Sequence, residues 1–228
     1  ITDTQKKMGD LFVHTGKIES GTIKIGQNVN LEINVENRNN SKANHSATHL
    51  LHESLRRTLG KHVTQKGSLV SPERLRFDFS HNKPIASEEM IKINKVVNEI
   101  VDGSTEVQTR IMTPKEAVKM GALALFGEKY GEEVRVVFMG KESNGFFSTE
   151  LCGGTHVKNT KEVGKFKVIS QSSIASGVRR VEALRDKQLQ EYEKFQKQDK
   201  STKEKTSKDQ LEKIKKELLR YKIKPDFN

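Results

Sequence analysis

Residues 196–210 contain no apolar side chain, and this limits which part of the chain can form a compact core. Burial of apolar side chains drives folding, so this stretch cannot contribute to a core. Residues 186–228 carry 13 basic and 9 acidic residues, a net charge of +4, and we predict that they form a solvated helical arm. Spacings of three and four predict at most a short coiled coil, with weak self-association, formed by Leu211, Ile214, Leu218 and Tyr221.

The beginning of the chain has a different pattern. In residues 10–40, short apolar stretches alternate with single glycines. This pattern is typical of small antiparallel strands joined by tight turns. We therefore predict that residues 1–40 form part of a small β-barrel. The polar residues 37–42 are interpreted as a linker.

Residues 41–185 mix helix and strand patterns without the regular alternation that builds a parallel sheet, which favours an α+β fold. Apolar residues at helical spacing predict helices at 43–59 with Asn44 as N-cap, at 87–101, and from Thr113 to about Leu125. Alternating apolar residues predict a hairpin of 61–70 and 74–80, and strands at 134–139 and 165–171. The predicted fold class is thus α+β, with a small N-terminal antiparallel β-barrel portion, a mixed sheet-and-helix domain and a C-terminal helical arm.

The charge of the chain favours a polyanionic partner. Lys and Arg number 41 against 30 Asp and Glu, which gives a formal net charge of +11 and an isoelectric point near 9.6. Such a field attracts nucleic acid, although many basic proteins bind none specifically. Composition alone therefore leaves the partner open.

The chain contains one cysteine, so it cannot form an intrachain disulfide, and a cytoplasmic location is expected. No apolar run approaches the roughly 18–20 residues that a membrane-spanning helix needs, and the N-terminus lacks a signal-peptide pattern. We expect no membrane association. Because the sequence begins with Ile1 rather than Met, we also expect it to be part of a longer protein.

Two pairs of residues predict a metal site. His45 and His49 are four residues apart on a predicted helix, so both imidazoles project from one face. Cys152 and His156 are also four residues apart, across a glycine pair. A thiolate with imidazoles favours Zn²⁺ over other divalent ions. His52 is an alternative ligand in place of one of these residues.

The spacing of these residues does not decide what the zinc would do. Four protein ligands normally close the coordination sphere of a structural zinc, whereas a hydrolytic zinc keeps one position open. The pattern alone slightly favours a structural site. A zinc peptidase is disfavoured, because Ser46 follows His45 where a glutamate is expected.

Several segments resemble the editing domain of alanyl-tRNA synthetases. Residues 44–52 (Asn-His-Ser-Ala-Thr-His-Leu-Leu-His) and 148–157 (Ser-Thr-Glu-Leu-Cys-Gly-Gly-Thr-His-Val) resemble its two signature segments. Residues 12–18 resemble the preceding β-barrel, and 177–183 the closing segment. The related threonyl enzymes typically have Cys-Arg-Gly-Pro-His, whereas this chain has Cys-Gly-Gly-Thr-His. The resemblance thus indicates a fragment that holds the editing domain, part of the barrel and the start of the helical arm, without aminoacylation motifs.

This resemblance implies a function: hydrolysis of serine or glycine wrongly esterified to the acceptor end of tRNA(Ala), with the remainder of the synthetase as a further partner. It implies that zinc is bound by His45, His49, Cys152 and His156. It also implies that Thr48 senses the hydroxyl of serine, while Gln65 and Ser68 line the pocket.

Two arginines in the closing segment are candidates for RNA contacts. The guanidinium groups of Arg179 and Arg180 offer fixed bidentate donors to phosphate near the acceptor end. Either arginine could instead pair with Glu182 or a buried carboxylate. Two other functions remain open at this point: a freestanding editing protein, and a structural-zinc tRNA-binding module without catalysis.

Overall fold

The structure, a computed structural model, describes residues 1–123 and 131–220, and only the backbone of residues 200–207, 211 and 214–220. The chain divides into two compact units, Ile1–Asn34 (the N-terminal unit) and Val35–Asn228 (the main unit). Helices and antiparallel sheets occur together, which confirms the predicted α+β class. Within the described residues, no helix is both long enough and apolar enough to cross a membrane.

The N-terminal unit contains one antiparallel hairpin, formed by β1 (Asp3–Lys7) and β2 (Leu11–Thr15). Nearly all of its side chains are exposed, and residues 16–34 form no strand. Two strands cannot close a barrel. The predicted barrel portion is therefore reduced to this hairpin in the described residues, because the alternating segment after Gly16 has no neighbouring strand to pair with.

The main unit contains the predicted helices and strands in mixed order. Its elements are α1 (Val35–Leu59), β3 (Gln65–Val70), β4 (Leu75–Ser80), α2 (Ser87–Asp102), β5 (Gln108–Met112), α3 (Pro114–Lys119), β6 (Val134–Glu142), β7 (Gly145–Leu151), a 3-10 turn (Thr160–Val163), β8 (Phe166–Ala175), β9 (Val178–Arg185) and α4 (Asp186–Arg220). The strands form two antiparallel sheets, in the orders β3-β4-β9-β8 and β5-β6-β7.

The core lies between α1, α2 and the four-stranded sheet. Alternation along β4 buries Leu75, Phe77 and Phe79, as the sequence predicts, and Phe77 lies opposite Val181 of β9. From α1, Leu50, Leu51 and Leu55 are fully buried in the same cluster. α1 also contacts β7, so this helix lies against both sheets.

Polar contacts at both ends hold α1 in place. Near its C-terminus, Arg57 donates hydrogen bonds to both carboxylate oxygens of Glu142 (2.7 and 3.1 Å) and to the carbonyl of Phe147 (3.0 Å). Near its N-terminus, Nη2 of Arg185 donates to the backbone carbonyl and side-chain oxygen of Asn40 (3.1 and 2.8 Å). These bonds fix the helix relative to β6, β7 and β9.

Two predictions about the start of α1 were wrong. Residues 37–42 form its first turns rather than a linker, and Asn44 lies inside the helix rather than at its N-cap. Residues 35–39 are exposed, so their polarity is compatible with a helix whose contacts with the core begin further along. Asn44 is buried and its amide donates to the carbonyl of Ser71 (2.7 Å), a tertiary contact that the sequence does not reveal.

Two further predictions concern the ends of helices. Thr113 caps α3 as predicted, because its hydroxyl accepts from the backbone N–H of Glu116 (3.3 Å) and the Glu116 carboxylate accepts from Thr113 (2.9 Å). α3 ends at Lys119, so the predicted extension of this helix to about Leu125 was wrong: Gly121 lies in a turn, and Leu123 instead forms a β-bridge with Glu150. The C-terminal arm is helical as α4, while Tyr221 of the proposed coiled coil lies outside the described residues.

Core packing of α1 gives a stability prediction. Leu55→Ala removes a fully buried side chain, and we expect it to lower the free energy of unfolding by about 2–5 kcal/mol in urea denaturation. Ile91 of α2 is 67% exposed, so Ile91→Ala should change stability by less than about 0.5 kcal/mol. Equal effects of the two substitutions would contradict this description of the core.

Candidate metal centre

Two separate segments bring the predicted metal ligands together. His45 and His49 lie one turn apart on α1, and Cys152 and His156 lie in the loop after β7. One ligand atom from each of the four residues can be chosen so that all lie within 4.8 Å of one another. The structure therefore places the two sequence pairs in one cluster.

Distances within the cluster show which atoms face its centre. The Sγ atom of Cys152 lies 3.5 Å from Nε2 of His45 and 3.3 Å from Nε2 of His156. The centroids of the imidazole rings of His45, His49 and His156 lie 4.3–5.1 Å apart. The thiol thus lies beside three imidazole rings.

Hydrogen bonds hold the loop that carries Cys152 in place. The N–H of Gly154 donates to Sγ of Cys152 (3.4 Å), and Nη1 of Arg135 donates to the carbonyls of Cys152 (3.0 Å) and Gly154 (2.5 Å). A Cβ atom at Gly154 would lie only 2.8 Å from Nδ1 of His45, whereas one at Gly153 would meet nothing within 4 Å. Position 153 therefore has space for a side chain. Position 154 has none, because the loop backbone there approaches the His45 ring.

Hydrogen bonds outside the cluster orient all three imidazoles in the same way. Nδ1 of His45 lies 3.2 Å from the carbonyl of Thr155, and Nδ1 of His156 lies 3.2 Å from Oγ of Ser46. Nδ1 of His49 lies 2.8 Å from the carboxylate of Glu150. Each contact is satisfied when Nδ1 donates its proton, which leaves Nε2 free to bind a metal.

Glu150 is a central residue of the site that the sequence reasoning missed. Its buried carboxylate accepts hydrogen bonds from Nδ1 of His49 (2.8 Å), from Nδ1 of His52 (3.1 Å) and from the hydroxyl of Ser148 (3.3 Å). His52 therefore contacts the carboxylate and is not part of the four-residue cluster. Alternation along β7 could have shown that Glu150 shares a face with Ser148, but no sequence signal links either residue to α1.

The protonation of the cluster suits a cation. Burial raises the pKa of the Cys152 thiol, but the neighbouring imidazoles of His156, His45 and His49 outweigh burial and lower this pKa to about 3. Burial lowers the pKa of His156 to about 4. Burial also opposes the charged form of Glu150, yet the charge and hydrogen bonds of His49 hold the pKa of this carboxyl below its usual range. The site therefore offers a thiolate and a neutral imidazole at neutral pH.

His49 behaves differently because it lies between two negative groups. Burial lowers its pKa, but Glu150 and Cys152 outweigh burial and raise this pKa to about 10. Nε2 of His49 is buried and has no hydrogen-bond partner, although Nδ1 is bonded to Glu150. A divalent cation at the cluster would take the place of the proton on this nitrogen. The donor set of one thiolate and three imidazoles thus fits Zn²⁺.

The predicted pocket residues lie on two elements that pack against each other. Thr48 is buried between the two α1 histidines, and its hydroxyl donates to the carbonyl of Asn44 (2.8 Å). Gln65 and Ser68 lie on β3, where Nε2 of Gln65 donates to Oγ of Ser68 (3.4 Å). α1 contacts both β3 and β4. The roles of these three residues remain predictions.

The two predicted phosphate ligands have different surroundings. Arg180 donates through Nε and Nη2 to both oxygens of the buried Asp78 (2.7 and 2.8 Å), which is the buried-carboxylate pairing that the sequence left open. Arg179 donates to Oε1 of Gln171 (3.2 Å), and its Nε is buried without a hydrogen-bond partner. Phosphate binding remains a prediction for both arginines, and Arg179 has more unused hydrogen-bonding capacity.

Comparison with known proteins finds relatives among the aminoacyl-tRNA synthetases. A family profile described as "Threonyl and Alanyl tRNA synthetase second additional domain" matches residues 134–182. The chain is 56% identical over 187 residues to the alanine--tRNA ligase of Parvibaculum lavamentivorans, which covers 81% of this chain and 21% of that protein. It is 56% identical over 189 residues to the enzyme of Mesorhizobium japonicum (81% and 21%), and 53% identical over 199 residues to that of Nitrobacter winogradskyi (84% and 22%).

The fold, the His/Cys cluster and the matched profile together define a domain associated with aminoacyl-tRNA synthetases. The chain belongs to the alanine--tRNA ligase family, and it spans 21–22% of the length of these relatives. The resemblance stated from residues 44–52 and 148–157 is therefore confirmed.

The close approach of the loop to His45 gives a matched pair of substitutions. Gly154→Ala should push the His45 ring out of the cluster and weaken zinc binding by about tenfold or more, measured by competition with a chromogenic chelator. Gly153→Ala should bind zinc like the unchanged chain, because its new methyl group meets no atom within 4 Å. The opposite order of affinities would disprove the proposed orientation of this loop.

The Glu150 carboxylate gives a second prediction about the metal. Glu150→Gln replaces one acceptor oxygen by an amide that cannot accept from a histidine, so His49 or His52 loses its partner. We expect about 10- to 100-fold weaker zinc binding in the same competition measurement. Glu99→Gln on the exposed face of α2 is the control and should have no effect. Unchanged affinity in Glu150→Gln would show that the carboxylate does not orient a ligand.

Proposed function

We propose that this chain is an editing module that hydrolyses serine or glycine from mischarged tRNA(Ala). The convergence of His45, His49, Cys152 and His156 from two distant segments carries this proposal. Family membership supports it, because the relatives are alanine--tRNA ligases. The resemblance of the two segments that hold these four residues to editing signatures supports it further.

We also propose that Zn²⁺ is the metal of this cluster. When bound, it would polarise the ester carbonyl or a water molecule, which is the usual contribution of zinc to hydrolysis. In this proposal Cys152 is a ligand and not a nucleophile. Glu150 and Ser46 act as positioning residues, because their hydrogen bonds orient the rings of His49 and His156.

The proposed reaction adds water across the ester. Oxygen from water forms a bond to the carbonyl carbon, the bond to the ribose oxygen breaks, and that oxygen leaves as a hydroxyl with a proton. The products are the free amino acid and intact tRNA. The hydroxyl of Thr48 would accept a hydrogen bond from the serine side chain, since its own proton is donated to Asn44. Gln65 and Ser68 would line the same pocket.

Selection of amino acids by size explains why such a site is needed. An aminoacylation pocket that accepts alanine cannot exclude the smaller glycine by steric contact. It discriminates against an amino acid with an added hydroxyl by only about a hundredfold. A second, hydrolytic site corrects both errors. Its substrate is esterified to the acceptor end of tRNA, so the net charge of +11 would favour binding through the phosphate backbone.

The proposal can be tested with seryl-tRNA(Ala) and the zinc-loaded chain. We expect hydrolysis of the seryl ester, loss of this activity with a zinc chelator, and recovery when zinc is added back. Alanyl-tRNA(Ala) should be spared. Cys152→Ala should abolish hydrolysis because it removes the thiolate ligand, while the four-stranded sheet, monitored by circular dichroism, remains folded.

Two outcomes would favour other functions. Binding of one zinc per chain together with tRNA binding, but without hydrolysis of either ester, would favour a structural-zinc tRNA-binding module. Full activity of Cys152→Ala would exclude the zinc-centred mechanism. If the chain does hydrolyse the seryl ester, its position in the source gene distinguishes a synthetase segment from a freestanding editing protein.

A further inference from the structure

A second cluster of histidines lies at the far end of β4. Nε2 of His62 lies 2.9 Å from Nδ1 of His81, and the two rings lie edge to edge and nearly coplanar, with centroids 5.2 Å apart and planes 20° apart. His62 is exposed and His81 is half-buried. The proposed editing chemistry uses neither residue.

The backbone holds both rings in place. Ser80 Oγ donates to the carbonyl of His62 (2.6 Å) and accepts from the N–H of Thr64 (2.9 Å), which ties the chain around His62 to the end of β4. The N–H of His81 donates to the carbonyl of Gly177 (2.9 Å). The edge-to-edge pair is therefore a fixed feature of the sheet edge and not two independent surface side chains.

Metal binding is a poor explanation for this pair. The two facing nitrogens already bond to each other. Among the described residues, the one group of three or more metal-ligating side chains is the centre formed by His45, His49, Cys152 and His156. A flat, partly exposed face formed by two nearly coplanar imidazole rings instead suits a planar ligand such as a nucleic-acid base.

The surroundings of the pair are mostly positive. Burial lowers the pKa of His81, and His62, Arg179 and Lys83 lower it further, while Glu89 acts in the opposite direction. Arg179 lies directly opposite Phe79, two residues before His81, and its Nε is buried without a hydrogen-bond partner. Guanidinium and ammonium groups beside a stacking surface are typical of sites that bind single-stranded RNA.

A row of rings along β4 connects this pair with the candidate metal centre. His52, which shares the Glu150 carboxylate with His49, lies 5.1 Å from the ring of Phe77. Phe79 follows at 6.0 Å from Phe77 and His81 at 6.2 Å from Phe79. Phe77 and His81 are four positions apart in extended chain, which corresponds to about 13 Å. His62 also lies three residues before Gln65, so β3 joins the pair to the proposed pocket along the surface.

We propose that the flat face of the edge-to-edge His62–His81 pair binds an unpaired base of the tRNA acceptor end just upstream of the terminal adenosine, with Arg179 and Lys83 facing the adjoining phosphate. This inference rests on the proposed function for the identity of the RNA. It assigns the pair to substrate binding and not to the hydrolytic step. Contact at this distance from the zinc ligands would hold the acceptor strand while its esterified end enters the pocket.

The test uses an acceptor-stem RNA hairpin with a CCA end in which 2-aminopurine replaces either cytidine in turn. Stacking on an aromatic ring quenches this fluorophore. With the zinc-loaded chain we expect quenching at one of the two positions. His62→Ala should remove the quenching and weaken binding about tenfold, while His62→Phe should keep both because it keeps a ring. Lys92→Ala, an exposed change on α2, should match the unchanged chain.

Three results would overturn the inference. The unchanged chain, at a concentration that saturates the RNA, could quench neither position. Alternatively, His62→Ala could quench as strongly as the unchanged chain, or His62→Phe could lose the quenching. Thermal unfolding of each variant shows whether a loss reflects misfolding. Hydrolysis of seryl-adenosine by the unchanged chain is measured separately. This small ester lacks the upstream nucleotides, so its cleavage tests the proposed function independently of the histidine pair.

Discussion

The carboxylate of Glu150 is the interaction on which the arrangement of the site depends. It accepts hydrogen bonds from two histidines of α1. It lies on β7, which belongs to the three-stranded sheet β5-β6-β7 and not to the four-stranded sheet. A buried carboxylate is stable only when such partners compensate for its lost hydration. The charge that fixes the orientation of His49 therefore also holds α1 against β7. Because Cys152 follows β7 directly, this contact sets the position of the thiol relative to the histidines.

The same interaction explains why the cluster resembles a prepared cation site. Two negative groups lie near the His49 ring: the Glu150 carboxylate, which is bonded to Nδ1, and the Cys152 thiolate, whose charge also raises the pKa of His49. An uncompensated pair of buried negative charges would destabilise the fold. A proton on His49 balances part of this charge, and a divalent cation would balance it more completely. Binding of a cation at the cluster would therefore also stabilise the packing of α1 on β7.

Short-range patterns in the sequence predicted most elements of the main unit and the ligand pairs, because both depend on spacing within a few residues. The spacing of four predicted each ligand pair, the suitability of their donor atoms for one metal predicted that the two pairs meet, and alternation was enough for the β3–β4 hairpin. Contacts between distant segments were not predictable in this way. Glu150 lies about a hundred positions from its histidine partners, and Asn40 is held by Arg185 across the whole main unit. The Arg185 contact lies within residues 37–42, which are helical despite their polar composition.

The pocket residues on β3 show how a local irregularity can make a sequence prediction physically consistent. Gln65 and Ser68 are three residues apart, so in a regular strand their side chains would point to opposite faces. The register with β4 shifts between Gln65 and Gly67, and a bulge of this kind restores a common face. Both residues then align with the core-facing Phe79 and Phe77, and their side chains contact each other. A Cβ at position 67 would lie in ordinary van der Waals contact with the buried Asp78 carboxylate, at 3.4 Å, so the bulge lies directly beside Asp78 and its partner Arg180. The Asp78–Arg180 pair lies on the opposite face of the sheet and joins β4 to β9. It therefore contributes to the proposed pocket indirectly, because it fixes β4, the strand against which the bulge forms.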